Sequence, residues 1–268
     1  MKLRLPRIAI ATTALLATLP VLAAGTAGAV PFDGTWKTQL GSIKFDSKPD
    51  VFALKDGMFH CGNCAPALSV PADGKDQKVT GHSYFDTVAV KVVDDHTVVM
   101  TDRLAGKTMY EMTFSVSADG GTLNEVMKDL SGAKVATWNQ VSSRVGPGAP
   151  GSHAIAGSWK MDKMPGASDV GMVITYHQTD DGLQMRYNGA SYDARFDGKP
   201  VLTANDPGKT LVSLRRISER EIEETDTRGG QVSDVIRMTV SEDGKSMSVV
   251  DQNRANDMTM SWTMTRQP

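Results

Sequence analysis

The chain has 268 residues, with 29 basic and 31 acidic side chains and a formal net charge of −2. Removing a leader that holds three basic residues and no acidic one moves this to about −5. Such a balance gives no footprint for nucleic acid or for anionic lipid.

Residues 1–29 carry the parts of a secretory signal peptide: Lys2, Arg4 and Arg7, an apolar run from Ile8 to Ala24 broken by Pro20, and the small-x-small site Ala27-Gly28-Ala29. The run is too short and ends in residues too small for a membrane anchor, which needs about 20 apolar residues. No later stretch is apolar enough to span a bilayer. No cysteine follows the cleavage site, which argues against an acylated lipoprotein. The expectation is cleavage near Ala29 and a soluble product, periplasmic or secreted, beginning near Val30.

From Val30 the pattern is strand and turn almost throughout. Near the start stands "FDGTWK", Phe32 to Lys37, followed by "HCGNC", His60 to Cys64, with the chain's two cysteines. Then come runs rich in β-branched residues at Thr87 to Val93, Thr97 to Asp102, Thr108 to Val116 and Lys134 to Ser143, separated by "DDH", "LAGK" and "ADGG". Turn signals about every ten residues predict hairpins. Tyr110, Met112, Phe114 and Val116 alternate with Glu111, Thr113 and Ser115, which predicts one buried and one wet face.

"VGPGAPGSH", residues 145–153, reads as a Gly/Pro linker unable to pair into a sheet. After it the first half returns. "IAGSWK" at Ile155 repeats "FDGTWK", "TDTRGGQ" at Thr225 repeats "TDRLAGK" at Thr101, and "SEDGKSM" at Ser241 repeats "SADGGTL" at Ser117. Several landmarks in register at an offset of 123 to 125 mean tandem duplication. The expected domains are a first barrel at 30–144 and a second at 154–268. Val232, Ile236, Met238 and Val240 are expected to repeat the apolar face of the first copy. The fold class is all-β: two tandem antiparallel up-and-down barrels of about eight to ten strands each.

The openings Gly34-Thr35-Trp36 and Gly157-Ser158-Trp159 resemble the Gly-x-Trp start of the lipocalin and calycin group. More closely, "GTWKTQLGSIKF", "VTGHSYFDTVAVKVVDDHTVVMT" and "SADGGTL" are similar to uncharacterised exported bacterial lipocalin-like β-barrel proteins. The resemblance implies that an arginine near each last strand, Arg144 or Arg266, packs on the tryptophan that opens its own copy. Each copy is shorter than a true lipocalin and lacks its long helix.

The spacing of Cys61 and Cys64 admits a disulfide, a metal site or redox chemistry. Export, the absence of a cysteine counterpart near Arg186 to Gly189, and Pro66 in place of a following helix favour a local disulfide. His82 and His96 lack metal-like spacing, and no metal or cofactor is expected. Met258, Met260, Trp262 and Met264 share one face of a strand, a core stripe before it is a copper(I) site. The four tryptophans fall on first and last strands, Trp36 with Trp138 and Trp159 with Trp262, and are read as core.

The copies differ where "TVVMTD" at Thr97 becomes "EIEETD" at Glu221. Either face of the second strand carries acid, and Asp234 stands where the first copy has Tyr110 on its apolar face, so Glu224, Asp226 and Asp234 are candidate ligand-binding residues in a polar interior, with Arg215 or Arg216 as cationic partner. The dull alternative is a frayed strand solvated on both sides. No Ser-His-Asp, Cys-His, H-E-x-x-H or phosphate-loop pattern gives a catalytic residue. Three readings stay open: a carrier of a small amphipathic or polar ligand, an enzyme using the acids of the second copy, and an envelope interaction module with filled barrels.

Overall fold

The computed structural model describes residues 30–268; the expected signal peptide lies outside the described residues. The sequence builds strands by turn chemistry and alternation. Four hairpins turn on residue pairs with positive φ at both positions: Asp56-Gly57, Ala105-Gly106, Asn188-Gly189 and Gly229-Gly230. This is the type I′ turn, whose twist matches that of the strands it joins. Thr97–Leu104 and Glu221–Arg228 alternate identically, burying Val98, Met100 and Asp102 in one and Ile222, Glu224 and Asp226 in the other. Helix among the described residues is limited to a 3-10 turn at Leu40–Ser42 and one α-turn at Asp169–Met172.

The strands form two antiparallel barrel-like sheets of ten and eleven strands. Isolated bridges narrow the remaining gaps, Asp73 to Lys91 in the first and Ser191 to Ala204 and Asp197 to Arg215 in the second. The first core gathers around Phe52, Phe59, Val88, Phe114 and Trp159. The second gathers around Trp36, Leu183, Leu214, Ile222 and Met247.

The barrels do not follow the repeat boundary, which corrects the division into 30–144 and 154–268. Gly34–Thr38 lies between Val173–Gln178 and Met258–Arg266, so the opening strand of the first repeat belongs to the second barrel. Gly157–Ala167 lies between Ala136–Pro147 and Asp50–Lys55, so the opening strand of the second repeat belongs to the first barrel. The tryptophan neighbours change accordingly: Trp36 borders the strand of Trp262, and Trp159 borders the strand of Trp138. Consecutive strands pair most readily when a short connection joins them. Ala136–Pro147 folds straight back onto Gly157–Ala167, and the place left in the second barrel takes the nearly identical strand from the chain's start. The expected linker is partly strand as well, since Val145, Gly146 and Pro147 end Ala136–Pro147 and Pro147 faces Gly157. A proline is tolerated at such a strand end.

Each exchanged strand is locked in the same way. The Arg144 guanidinium lies 4.0 Å from the Trp159 ring centre and donates to the carbonyls of Gly120, Ala156 and Ala154, each at 2.6 Å. Arg266 lies 4.3 Å from Trp36 and donates to Gly244 O at 2.7 Å, Pro31 O at 2.5 Å and Asp33 O. Each arginine therefore packs on the tryptophan of the other repeat, not of its own. The glycine two residues before each tryptophan follows from this: Gly34 and Gly157 have φ of +119° and +143°, and a Cβ on Gly157 would strike Arg144 Nη1.

Candidate functional site

Glu221–Arg228 carries the centre of the site. Glu224 and Asp226 are 7% and 8% exposed and Asp234, opposite Asp226 on Gln231–Val240, is 6% exposed. The frayed-strand alternative is thereby excluded. Asp234 is inward because of a bulge at Ser233, which turns Val232 outward; the expected apolar face thus loses Val232, which is 46% exposed. Asp226 and Asp234 are held by Arg228, whose Nη1 donates to Asp234 at 2.7 Å and Nη2 to Asp226 at 3.4 Å. Arg228 Nε also donates to Thr210 at 2.8 Å, and Asn253 donates to Asp234 at 2.8 Å. Arg215 is a correction: it lies on the outer face and pairs with Glu223 at 2.8 Å. Alternation explains it, because Val212 and Leu214 take the inward positions of Leu211–Ser218. Arg216, its alternative, stacks on Phe196.

Glu224 has no ion pair among the described residues. Tyr192 donates to its Oε2 at 2.6 Å, while burial, and then the neighbouring Asp226, push its carboxyl well above the ordinary carboxylate range. Hydrogen bonding between the two carboxyl groups adds to the rise of Glu224 and acts to lower Asp226. Burial also raises Asp226, to about 6, against the pull of Arg228. Behind them Asp251, aligned with Met127 of the first repeat, is pushed up to about 7 by burial with Asp234 and Asp226 adding. The result is one neutral acid hydrogen-bonded to one charged acid.

Two cavities meet at Met185, Tyr187 and Glu224. One, of about 220 Å³, lies within the second barrel, with Ile174, Met238, Val249, Trp262 and Met264 on its walls. The other, of about 250 Å³, opens at the seam between the barrels. The seam is fixed where Ala133 N donates to Asn188 O at 2.8 Å and Asn188 Nδ2 to Lys134 O at 2.9 Å. Tyr84 of the first repeat also packs flat against Gly208, where a Cβ would come within 2.5 Å of its ring. A wider groove of 680 Å³ runs past His82 and Arg254, but no carboxylate lines it.

The first interior is drier but not dry. Where the second barrel has Tyr176, Tyr192 and Glu224, the first has Phe52, Leu68 and Met100, all buried. Asp102, however, occupies the position of Asp226, is 3% exposed, and has no partner for Oδ1 among the described residues. Burial pushes it up to about 7. Glu125 is also pushed up to about 7, by burial and by Asp50, beside a 330 Å³ cavity at that barrel's mouth.

Cys61 and Cys64 form a disulfide at the end of Met58–Cys61. Among the described residues no group of three or more His, Cys, Asp or Glu side chains is arranged to hold a metal. Nor is any described helix long and apolar enough to cross a membrane. Trp262 and Met264 line the apolar cavity, the methionine 6% exposed.

Arg228, Tyr192 and Asp251 are parts of the site that the sequence reading did not name. Asp251 was open to the same comparison between repeats that drew attention to Asp234. Arg228 stands where the first repeat has Leu104, a change of the same kind. Comparison of the chain with protein-family models, curated proteins and solved structures finds no match.

Proposed function

We propose that this chain is an exported small-ligand binding or carrier protein on two lipocalin-like barrels, with its ligand held in the second. The observation that carries the reading is the 220 Å³ cavity, whose walls are mainly apolar, with Thr38, Tyr176, Tyr187 and Glu224 as the polar exceptions. An apolar cavity with a few convergent polar groups is the usual form of a small-molecule site. A neutral carboxyl there both donates and accepts a hydrogen bond, which suits an amphipathic ligand. The unfilled space counts against a solid barrel acting only through its surface. Export to the periplasm or beyond belongs to this proposal and rests on residues 1–29.

Native mass spectrometry of protein purified from the periplasmic fraction, compared with the same sample denatured, tests it. An adduct that vanishes on denaturation is the expected result. A clean unliganded mass, together with no uptake of octanol in solution, would overturn the reading. A second reading, acid–base catalysis, is favoured by the Glu224–Asp226 pair, since a neutral acid beside a charged one is how two carboxyl groups divide proton donation and acceptance. Glu224→Gln keeps the shape and removes the proton, so a bound species that changes mass on incubation with wild type but not with this variant would support catalysis.

A further inference from the structure

The seam cavity gathers an uncommon share of the chain's aromatic hydroxyls. Four of the five tyrosines line it: Tyr84 and Tyr110 from the first repeat, and Tyr187 and Tyr192 from the second. Tyr84 and Tyr110 meet edge to face at 6.3 Å, and the Arg228 guanidinium lies over the Tyr84 ring at 5.3 Å, a cation–π contact already made in this cavity. Asp129, Asp206, Asp226 and Glu224 line the same space, against the single cation Arg228. Arg228 is already answered by Asp226 and Asp234. Asp129 and Asp206 have no ion pair among the described residues; each accepts one backbone N–H at 2.7 Å, from Ser131 and Thr210 respectively. Thr203, 7% exposed and lining the cavity, has a hydroxyl oxygen with no partner among the described residues. The seam is therefore a concave space with aromatic walls, one cation–π contact already in place and an excess of carboxylate. Cations are attracted to aromatic faces, most strongly where water is excluded.

We propose that the seam cavity receives the head group of an organic cation, an alkylammonium, whose apolar chain enters the second barrel past Glu224. The cavity order supports this, because the apolar and seam spaces share Glu224, Met185 and Tyr187 as a common wall. The inference rests on the binding reading above and adds the charge of the ligand.

Isothermal titration of the full mature chain at neutral pH and low salt, with octyltrimethylammonium, octanol and octyl sulfate as separate probes, tests it. The expected order is the cation tightest, by at least about tenfold over octanol, with the sulfate weakest. Added salt should shrink the preference. Asp129→Asn with Asp206→Asn removes charge while keeping shape and an acceptor oxygen. It should lower the cation's affinity about tenfold and leave that of octanol unchanged, which also shows that the variant is folded. Octanol or octyl sulfate binding as tightly as the cation would overturn the inference and leave the carrier reading standing. If none of the three bound, the carrier reading would fall and the inference with it.

Discussion

Asp102 is more than nine-tenths buried and, among the described residues, lacks a partner for Oδ1 and has no cation within reach, so its charge is opposed by burial alone. Its ordinary value of 3.8 rises to about 7 in the folded chain. Between those values the unfolded chain has released the proton and the folded chain has not, so stability falls as pH rises through this window. Asp226, Asp251, Glu125 and Glu224 shift in the same direction. The melting temperature should therefore be higher near pH 5 than near pH 8. Asp102→Asn, which stays neutral, should flatten that slope and gain on the order of 3–4 kcal/mol over wild type above pH 7. Thermal melts across that range decide it; an unchanged slope in the variant would mean that Asp102 is charged in the fold. Part of the site was legible at this scale. Glu224 and Asp234 stood out because acid replaced Met100 and Tyr110 between two otherwise matched repeats, and Asp226, matched by Asp102, lies on the same face as Glu224. Arg215 misled because proximity along a strand was weighed without its face, although Val212 and Leu214 already marked the inward side.

At the scale of elements, the hairpins were readable because turn chemistry is local. Ala105 is the exception that makes a prediction. It holds φ +50° in the first position of a type I′ turn where the other three hairpins have Asp56, Asn188 and Gly229. An alanine Cβ is crowded in that conformation, at a cost of roughly 1–2 kcal/mol that asparagine reduces. Ala105→Asn should raise stability by about 1 kcal/mol, read as a shift in the denaturant midpoint with unchanged slope. A loss of stability would point to a role for Ala105 outside the turn. Bulges were less readable. The extra residue at Ser233 decides that Asp234 faces inward and Val232 outward, and nothing in the alternation of "GGQVSDVIRM" marks where the slip falls. The strand exchange was not readable from local pattern either. Gly34-Thr35-Trp36 and Gly157-Ser158-Trp159 are nearly interchangeable, and each suits either barrel. What separates them is the connection, which brings Gly157–Ala167 onto Ala136–Pro147 before any other partner.

At the scale of the molecule, the first barrel is one continuous run of chain, from Asp50 to Ala167, and the second is assembled from the segments on either side of it. Residues 47–168 alone should give a cooperative melt and the near-ultraviolet signal of a packed Trp159. Residues 30–149, the first repeat with part of the linker, lack Trp159 and have only Gly34–Thr38 to take its place, so they should melt at a clearly lower temperature than 47–168. The opposite result, with the repeat melting cooperatively as a monomer and the continuous run disordered, would rule out the exchanged arrangement. The second barrel has a different dependence. Its seam between Trp36 and Arg266 joins the first described strand to the last, and Gln267 N donates to Thr35 O at 2.7 Å beside it. Those strands are antiparallel, with the N-terminal end of one beside the C-terminal end of the other, so a pull applied at Gly34 and Arg266 loads their hydrogen bonds one after another, as a zipper opens, and not all together. A pull on the chain after Arg266 therefore loads the closure of the second barrel directly, while the first barrel, closed by Gly157–Ala167 on Asp50–Lys55, is loaded only after the second has given way.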